Sequence, residues 1–167
     1  PMNIMGKKVA LIYGGRSAER EISLLTGQQV GSALIDKGFQ VTALDLDANI
    51  ANALLDLKPD VAFIALHGKY GEDGRIQGLL DILEIPYVGS GVLASALAMN
   101  KAVSKKLFSL EGLLCPRDIL IKKHTMKKKE FNSVKNHIVK NMNWPVVVKP
   151  NKQGSTIGLT VVRQSQR

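Results

Sequence analysis

Apolar residues fall along this chain in short runs that alternate with stretches of helical spacing. Val9 to Tyr13 is an apolar run stopped by Gly14-Gly15, the pattern of a central parallel strand. Leu24, Leu25, Val30, Leu34 and Ile35 follow with the spacing of an apolar helix face, and Lys37-Gly38 closes that helix. Phe39 to Leu44 predicts a second strand, Ile50 to Leu57 a short helix, and Val61 to Leu66 a third, buried strand running into His67-Gly68. Gly74 to Leu83 predicts the next helix, with Asp73 as its N-cap. Ile85 to Val88 is a short strand, and Gly89-Ser90-Gly91 a turn. This β-α-β-α-β alternation predicts a doubly wound parallel sheet over roughly residues 7–90. Ligands bind such sheets at the carboxyl ends of the strands. The polar turns GGRSAERE and HGKYGEDG, after strands one and three, therefore fall on the ligand edge.

Near Lys101 the pattern changes. Ala102 to Leu110 predicts a helix, Arg117 to Ile121 a strand, Lys127 to Asn141 a basic helix, Val146 to Lys149 a buried strand, and Leu159 to Arg163 the start of another. The expected organisation is a parallel α/β domain over 1–100 and a second, incomplete α+β unit over 101–167. Charge divides at the same place. Residues 1–100 hold 8 Lys+Arg against 11 Asp+Glu, a balance of −3; residues 101–167 hold 15 against 3, a balance of +12. A basic segment of this kind suits polyphosphate, nucleic acid or an acidic surface, or it is a solvated lysine face. Little aromatic interleaving accompanies Lys127-Lys128-Lys129, which argues against nucleic acid. No apolar run approaches the ~20 residues a membrane span needs. The N-terminal run reads as a first strand rather than a secretory signal. Cys115 is the only cysteine, so no internal disulfide forms, and a reducing cytoplasm is the expected setting.

The most informative stretch is VVVKPNKQGSTIG, Val146 to Gly158. A lysine at a strand tip supplies a compact positive charge. The small-residue loop of Gly154, Ser155, Thr156 and Gly158 lets backbone N–H groups approach phosphate oxygens. Neither a three-glycine dinucleotide fingerprint nor a Gly-Lys-Ser/Thr P-loop occurs after strand one. Glu19 stands instead at a helix start, where it either matches the dipole or binds a substrate ammonium group. His67 sits at a strand end, bonded to its own loop or facing a ligand. No histidine or cysteine pattern indicates a zinc site, and no metal ligands are assigned. Lys101 opens a helix and gains meaning only if it shares a site with Lys149. Ser155 lies in no nucleophile elbow, and its hydroxyl suits hydrogen bonding to phosphate.

Together, YGGRSAEREISLLTG, FIALHGKYGEDGRIQGLLDILEIPYVGSG, ASALAMNKAVSKKL and WPVVVKPNKQGSTIG resemble the D-alanine–D-alanine ligases of the ATP-grasp superfamily, in order and spacing over roughly residues 7–165. The resemblance implies a pre-ATP-grasp parallel domain followed by the first part of an ATP-grasp subdomain. It implies an enzyme that joins two D-alanines for peptidoglycan synthesis: ATP phosphorylates one carboxylate, and the second amine attacks the acyl phosphate. It implies ATP and magnesium as cofactors and D-alanine as partner; separately, apolar surface left uncovered on the first unit predicts a homodimer, and no membrane partner is expected. By motif, Glu19 corresponds to the residue that anchors the first ammonium, and His67 to a neighbour of that substrate's carboxylate. Lys101 and Lys149 correspond to the phosphate-holding lysines. Ser155 corresponds to the serine that orients substrates and couples to Glu19, and Gly154–Gly158 to the lid over the phosphates. Thr156 replaces the usual serine, and Asn100 stands where aspartate is common, one charge fewer beside Lys101. The adenine-binding hinge, catalytic tyrosine, oxyanion arginine and magnesium ligands of the family are expected outside these residues. The stretch alone is therefore expected to be inactive as a ligase. The alternative is a non-catalytic, self-associating module derived from the ligase.

Overall fold

A parallel sheet forms where four consecutive apolar residues, Val9, Ala10, Leu11 and Ile12, are all buried. Residues of that kind on both faces need cover on both sides, which is the signature of a central strand. In the computed structural model, which describes residues 6–122 and 131–164, this strand is β1 (Lys8–Tyr13). It lies between β2 (Gln40–Asp45) and β3 (Val61–Ile64), and β4 (Tyr87–Val88) closes the order β2-β1-β3-β4. Every pairing is parallel; Val9 stands opposite Val41 on one side and Val61 on the other. The helices α1 (Arg20–Asp36), α2 (Ile50–Leu57) and α3 (Arg75–Ile82) are the crossovers that parallel strands require. Ala10, Ile12, Leu54, Ala62 and Leu80 are fully inaccessible and form the centre of the core, with Ile50, Leu66, Ile76 and Ile85 around them. The expected doubly wound parallel sheet is the fold observed.

The chain divides into two compact units, residues 1–99 and 100–167. In the first, α1 meets the sheet through Ser23, Gly27 and Gly31 rather than through its large residues. Leu25 and Ile35, read as members of the buried face, are 57% and 60% exposed. The reason is distance: a Cβ on Gly27 would lie 2.8 Å from the Cβ of Tyr13, so only small residues admit this close approach. Asp73 is not the N-cap residue of α3 but stands one position earlier. Gly74 takes the cap position at φ 89, and a side chain there would crowd the Val92 carbonyl at 2.7 Å. The Asp73 carboxylate accepts the Tyr70 N–H at 3.1 Å and the N–H of Arg75, the first residue of α3, at 3.4 Å, and pairs with the Arg75 side chain. A helix absent from the sequence reading, α4 (Val92–Met99), completes the unit.

The second unit holds α5 (Lys101–Leu110), α6 (Phe131–Asn141) and an antiparallel pair, β5 (Val146–Val148) with β6 (Thr160–Val162). The strand expected over Arg117–Ile121 is not formed; the segment pairs with no strand among the described residues. Its fixed points are side-chain contacts, Lys105 to Asp118 at 3.1 Å and Arg117 to the Asn141 carbonyl at 3.1 Å. The basic helix begins, among the described residues, at Phe131, and Lys127-Lys128-Lys129 lie outside them. β5 is not the buried strand expected: only Val146 is buried, while Val147 and Val148 are half-exposed. A two-stranded ladder has too few neighbours to cover both faces. Among the described residues, no helix is long and apolar enough to cross a membrane.

Candidate functional site

The carboxyl edge of the first unit's sheet is built by a serine bridge. Ser23 on α1 accepts the Gly14 N–H at 2.8 Å and donates to the Ala65 carbonyl at 2.7 Å, so one hydroxyl ties the ends of β1 and β3 together. One turn earlier, Ser17 donates to the His67 carbonyl at 2.7 Å and accepts the Glu19 N–H at 3.0 Å. Glu19 thereby starts α1 without its side chain acting as a cap. Its residue is only 3% exposed, far below what a carboxylate matching a helix dipole at the surface would show. The carboxylate lies against Gly68, where an added Cβ would overlap Glu19 Oε2. Gly68 stands at φ 70 and its N–H donates to Glu72 at 2.6 Å. The loop is thus held by one acid while its backbone faces another.

His67 is brought to the same edge. Its Nε2 lies 2.9 Å from the Thr26 hydroxyl, whose single hydrogen is donated to the Ile22 carbonyl at 2.9 Å. Nε2 is then the donor of that pair. Beside this edge, Arg20 and Asp45 form a two-point ion pair, and Asp45 also accepts the Gly15 N–H at 2.9 Å. The hydrogen bond from Arg20 holds the Asp45 carboxyl below the usual carboxylate range, against a smaller opposing effect of desolvation. Asp45 in turn holds the Arg20 guanidinium above its ordinary value. Gln77 on α3, buried, braces the loop by donating to the Gly71 carbonyl at 2.7 Å.

In the second unit, two asparagines clasp the start of α5. Asn100 Oδ1 accepts the Val103 N–H at 3.3 Å and the Asn151 side-chain amide at 2.8 Å. Asn151 Oδ1 accepts the Ala102 N–H at 2.9 Å, and its carbonyl accepts the Lys101 N–H at 3.1 Å. The clasp fixes the Lys101 backbone, and its ammonium donates to the Gln153 carbonyl, next to Gly154. Lys101 and the Gly154–Gly158 loop are therefore brought together. Lys149 follows β5 directly and is exposed, with no hydrogen bond or ion pair among the described residues. Ser155 holds φ 51, a left-handed conformation uncommon outside glycine and frequent at functional sites. The Thr156 carbonyl accepts the Leu159 N–H at 3.0 Å, and Gly158 turns the chain at φ 71. Ser17, Ser23, Thr26, Gln77, Asn151 and Gln153 were not anticipated. Each acts on a group distant in sequence or on backbone, and such contacts leave no periodic signal. Among the described residues, no group of three or more His, Cys, Asp or Glu could hold a metal.

A parallel sheet with this carboxyl edge, followed by a lysine-tipped strand and glycine-serine loop, belongs to the ATP-grasp class of fold. The solved D-alanine–D-alanine ligase of Bacillus anthracis superposes with a TM-score of 0.76 at 34% identity, over 96% of this chain and 50% of that one. A D-Ala:D-Ser ligase from Enterococcus faecalis superposes with a TM-score of 0.70 at 28% identity, over 96% of this chain and 57% of that one. The family model for the D-ala D-ala ligase N-terminus matches residues 48–90, and that for the C-terminus matches residues 107–167. The D-alanine–D-alanine ligase of Pelotomaculum thermopropionicum is 47% identical over 162 residues, 97% of this chain and 51% of that protein. That of Desulforamulus reducens is 46% identical over 164 residues, 98% of this chain and 53% of that protein. The chain belongs to the D-alanine–D-alanine ligase family. It spans about half the length of the curated relatives it matches.

Proposed function

We propose that this chain carries the residues that bind the first D-alanine and the ATP phosphates in an ATP-dependent ligation of two D-alanines. The observation that supports it most is the buried Glu19 carboxylate packed on Gly68 beside an oriented His67. A carboxylate withdrawn from water binds an ammonium group more strongly than one in solvent. In this reading, Glu19 holds the ammonium of the first D-alanine and His67 stands near its carboxylate. Lys101, Lys149, the Ser155 and Thr156 hydroxyls and the backbone N–H groups of Gly154 and Gly158 hold the phosphates.

The chemistry follows from the electrophile. A carboxylate is too electron-rich for amine attack, so its oxygen first takes the γ-phosphoryl group and ADP leaves. The amine of the second D-alanine then adds to the acyl carbon and phosphate departs with the C–O bond electrons. The lysines offset charge on the transferring group. Magnesium, when bound with ATP, would neutralise further phosphate charge; none of its ligands is assigned among the described residues. Substrate binding is tested by thermal shift of the 167-residue chain. D-alanine at about ten times its Kd is expected to stabilise the fold by ~1.4 kcal/mol. L-alanine, or D-alanine with Glu19→Gln, is expected to give no shift. Equal responses to the two enantiomers, or no response to D-alanine, would refute this assignment of Glu19.

A further inference from the structure

The first unit has a cavity of about 270 Å³ that neither Glu19 nor His67 lines. Its volume falls near the lower end of small-molecule sites, roughly 300–1,000 Å³. Leu46, Ile76 and Leu79 give it an apolar wall, and Arg16, Asp47, Tyr70 and Arg75 supply its polar groups. The charges there are not equally available. Arg75 is paired with Asp73 and lies 5.1 Å from the centroid of the Tyr70 ring. Asp47 accepts the Asn49 N–H at 2.8 Å through one oxygen. Arg16 is exposed and makes no hydrogen bond or ion pair among the described residues. Tyr70 is held at φ 74, a conformation rare for a bulky residue.

We propose that this cavity binds a small organic monocarboxylate with an apolar body. The carboxylate is taken by Arg16, whose planar fork matches it in two points, and the hydrocarbon covers Leu46, Ile76 and Leu79. One uncommitted guanidinium favours a single negative charge. Asp47, in the same lining, repels a second one. The apolar wall selects against inorganic anions, whose desolvation it does not compensate. The site is separate from the residues to which the D-alanine reaction is assigned, so the two proposals stand or fall independently.

The test uses the whole 167-residue chain without D-alanine or ATP, titrated with 4-methylpentanoate while the side-chain methyls are followed by NMR. Saturable shifts are expected at Leu46, Ile76 and Leu79, with a Kd on the order of 1 mM. The neutral isostere 4-methylpentanamide is expected to bind about ten-fold more weakly, as loss of a charge-assisted hydrogen bond requires. Arg16→Gln is expected to weaken the acid by a similar factor and leave the amide unchanged. Since Arg16 is exposed and makes no bond among the described residues, the variant should fold normally, which the unperturbed methyl spectrum will verify. Shifts located elsewhere, no saturation, equal binding of acid and amide, or an unaltered Kd in Arg16→Gln would each overturn the proposal.

Discussion

Gly68→Ala asks directly whether the Glu19 carboxylate rests on the loop after β3. Two effects act together. At φ 70 the new residue occupies the left-handed region, which disfavours an L-side chain by about 1–2 kcal/mol. The added Cβ also overlaps Glu19 Oε2 and stands 3.3 Å from the carboxylate carbon, closer than the ~3.5–4.0 Å of ordinary carbon contacts. Because Glu19 is buried, its carboxylate has little free space to move into. Crowding of this kind destabilises by about 1–3 kcal/mol, for a total of roughly 2–5. Gly6→Ala is the control in the same unit: its φ is 78 and nothing lies within 4 Å of the added Cβ, so it carries the backbone effect alone. Amide exchange of Ala10 to Ile12 in β1 reports on this unit separately from the other. The crowding component should also vanish when Glu19→Ala is combined with Gly68→Ala in a double-mutant cycle. If Gly68→Ala and Gly6→Ala agree within ~0.5 kcal/mol, and the cycle shows no coupling, the carboxylate does not lie where described.

Two further outcomes follow from the polar clasps. Asp45 has a lowered pKa because Arg20 hydrogen-bonds its charged form; its contribution is present above the ordinary carboxyl value of 3.8 and is lost as pH falls through the lowered one. The pair is about two-fifths exposed on each side, so Asp45→Asn should cost only about 0.5–1 kcal/mol at pH 7, with the difference from the parent shrinking in acid; a gap that widens as pH falls would refute this sign. Asn100→Asp keeps the oxygen that accepts from Val103 and Asn151 and adds negative charge at the N-terminus of α5, so urea denaturation should show a gain of about 0.3–1 kcal/mol, and Asn100→Ala a loss of about 1–2. A loss on Asn100→Asp would show that the Asn151 amide is not the donor.

The strands were legible because their requirement is local. Val9 to Ile12 and Val61 to Ile64 are apolar on both faces, and only a covered parallel sheet removes such residues from water. Glu19 could be picked out as a carboxylate at a helix start, His67 as a polar residue at a strand end, and Gly154 to Gly158 as a loop open to phosphate. The packing face of α1 could not be read from its leucines. Its approach to Tyr13 is set by Gly27, whose meaning depends on a strand fourteen positions away. For the same reason Arg117 to Ile121 carried apolar residues suited to a strand yet had no partner strand to pair with, and α4, apolar almost throughout, had no helical period to reveal it.

By itself the sequence determined which segments must leave water and where charged or flexible residues interrupt them, since hydrophobic burial and backbone freedom act on neighbours along the chain. Tertiary structure alone decided which hydroxyls and amides hold the candidate residues: Thr26 on His67, Ser23 across two strand ends, Asn151 on Asn100. Those bonds form only after the sheet and loops have brought distant residues within about 3 Å, a length that no spacing along a chain encodes.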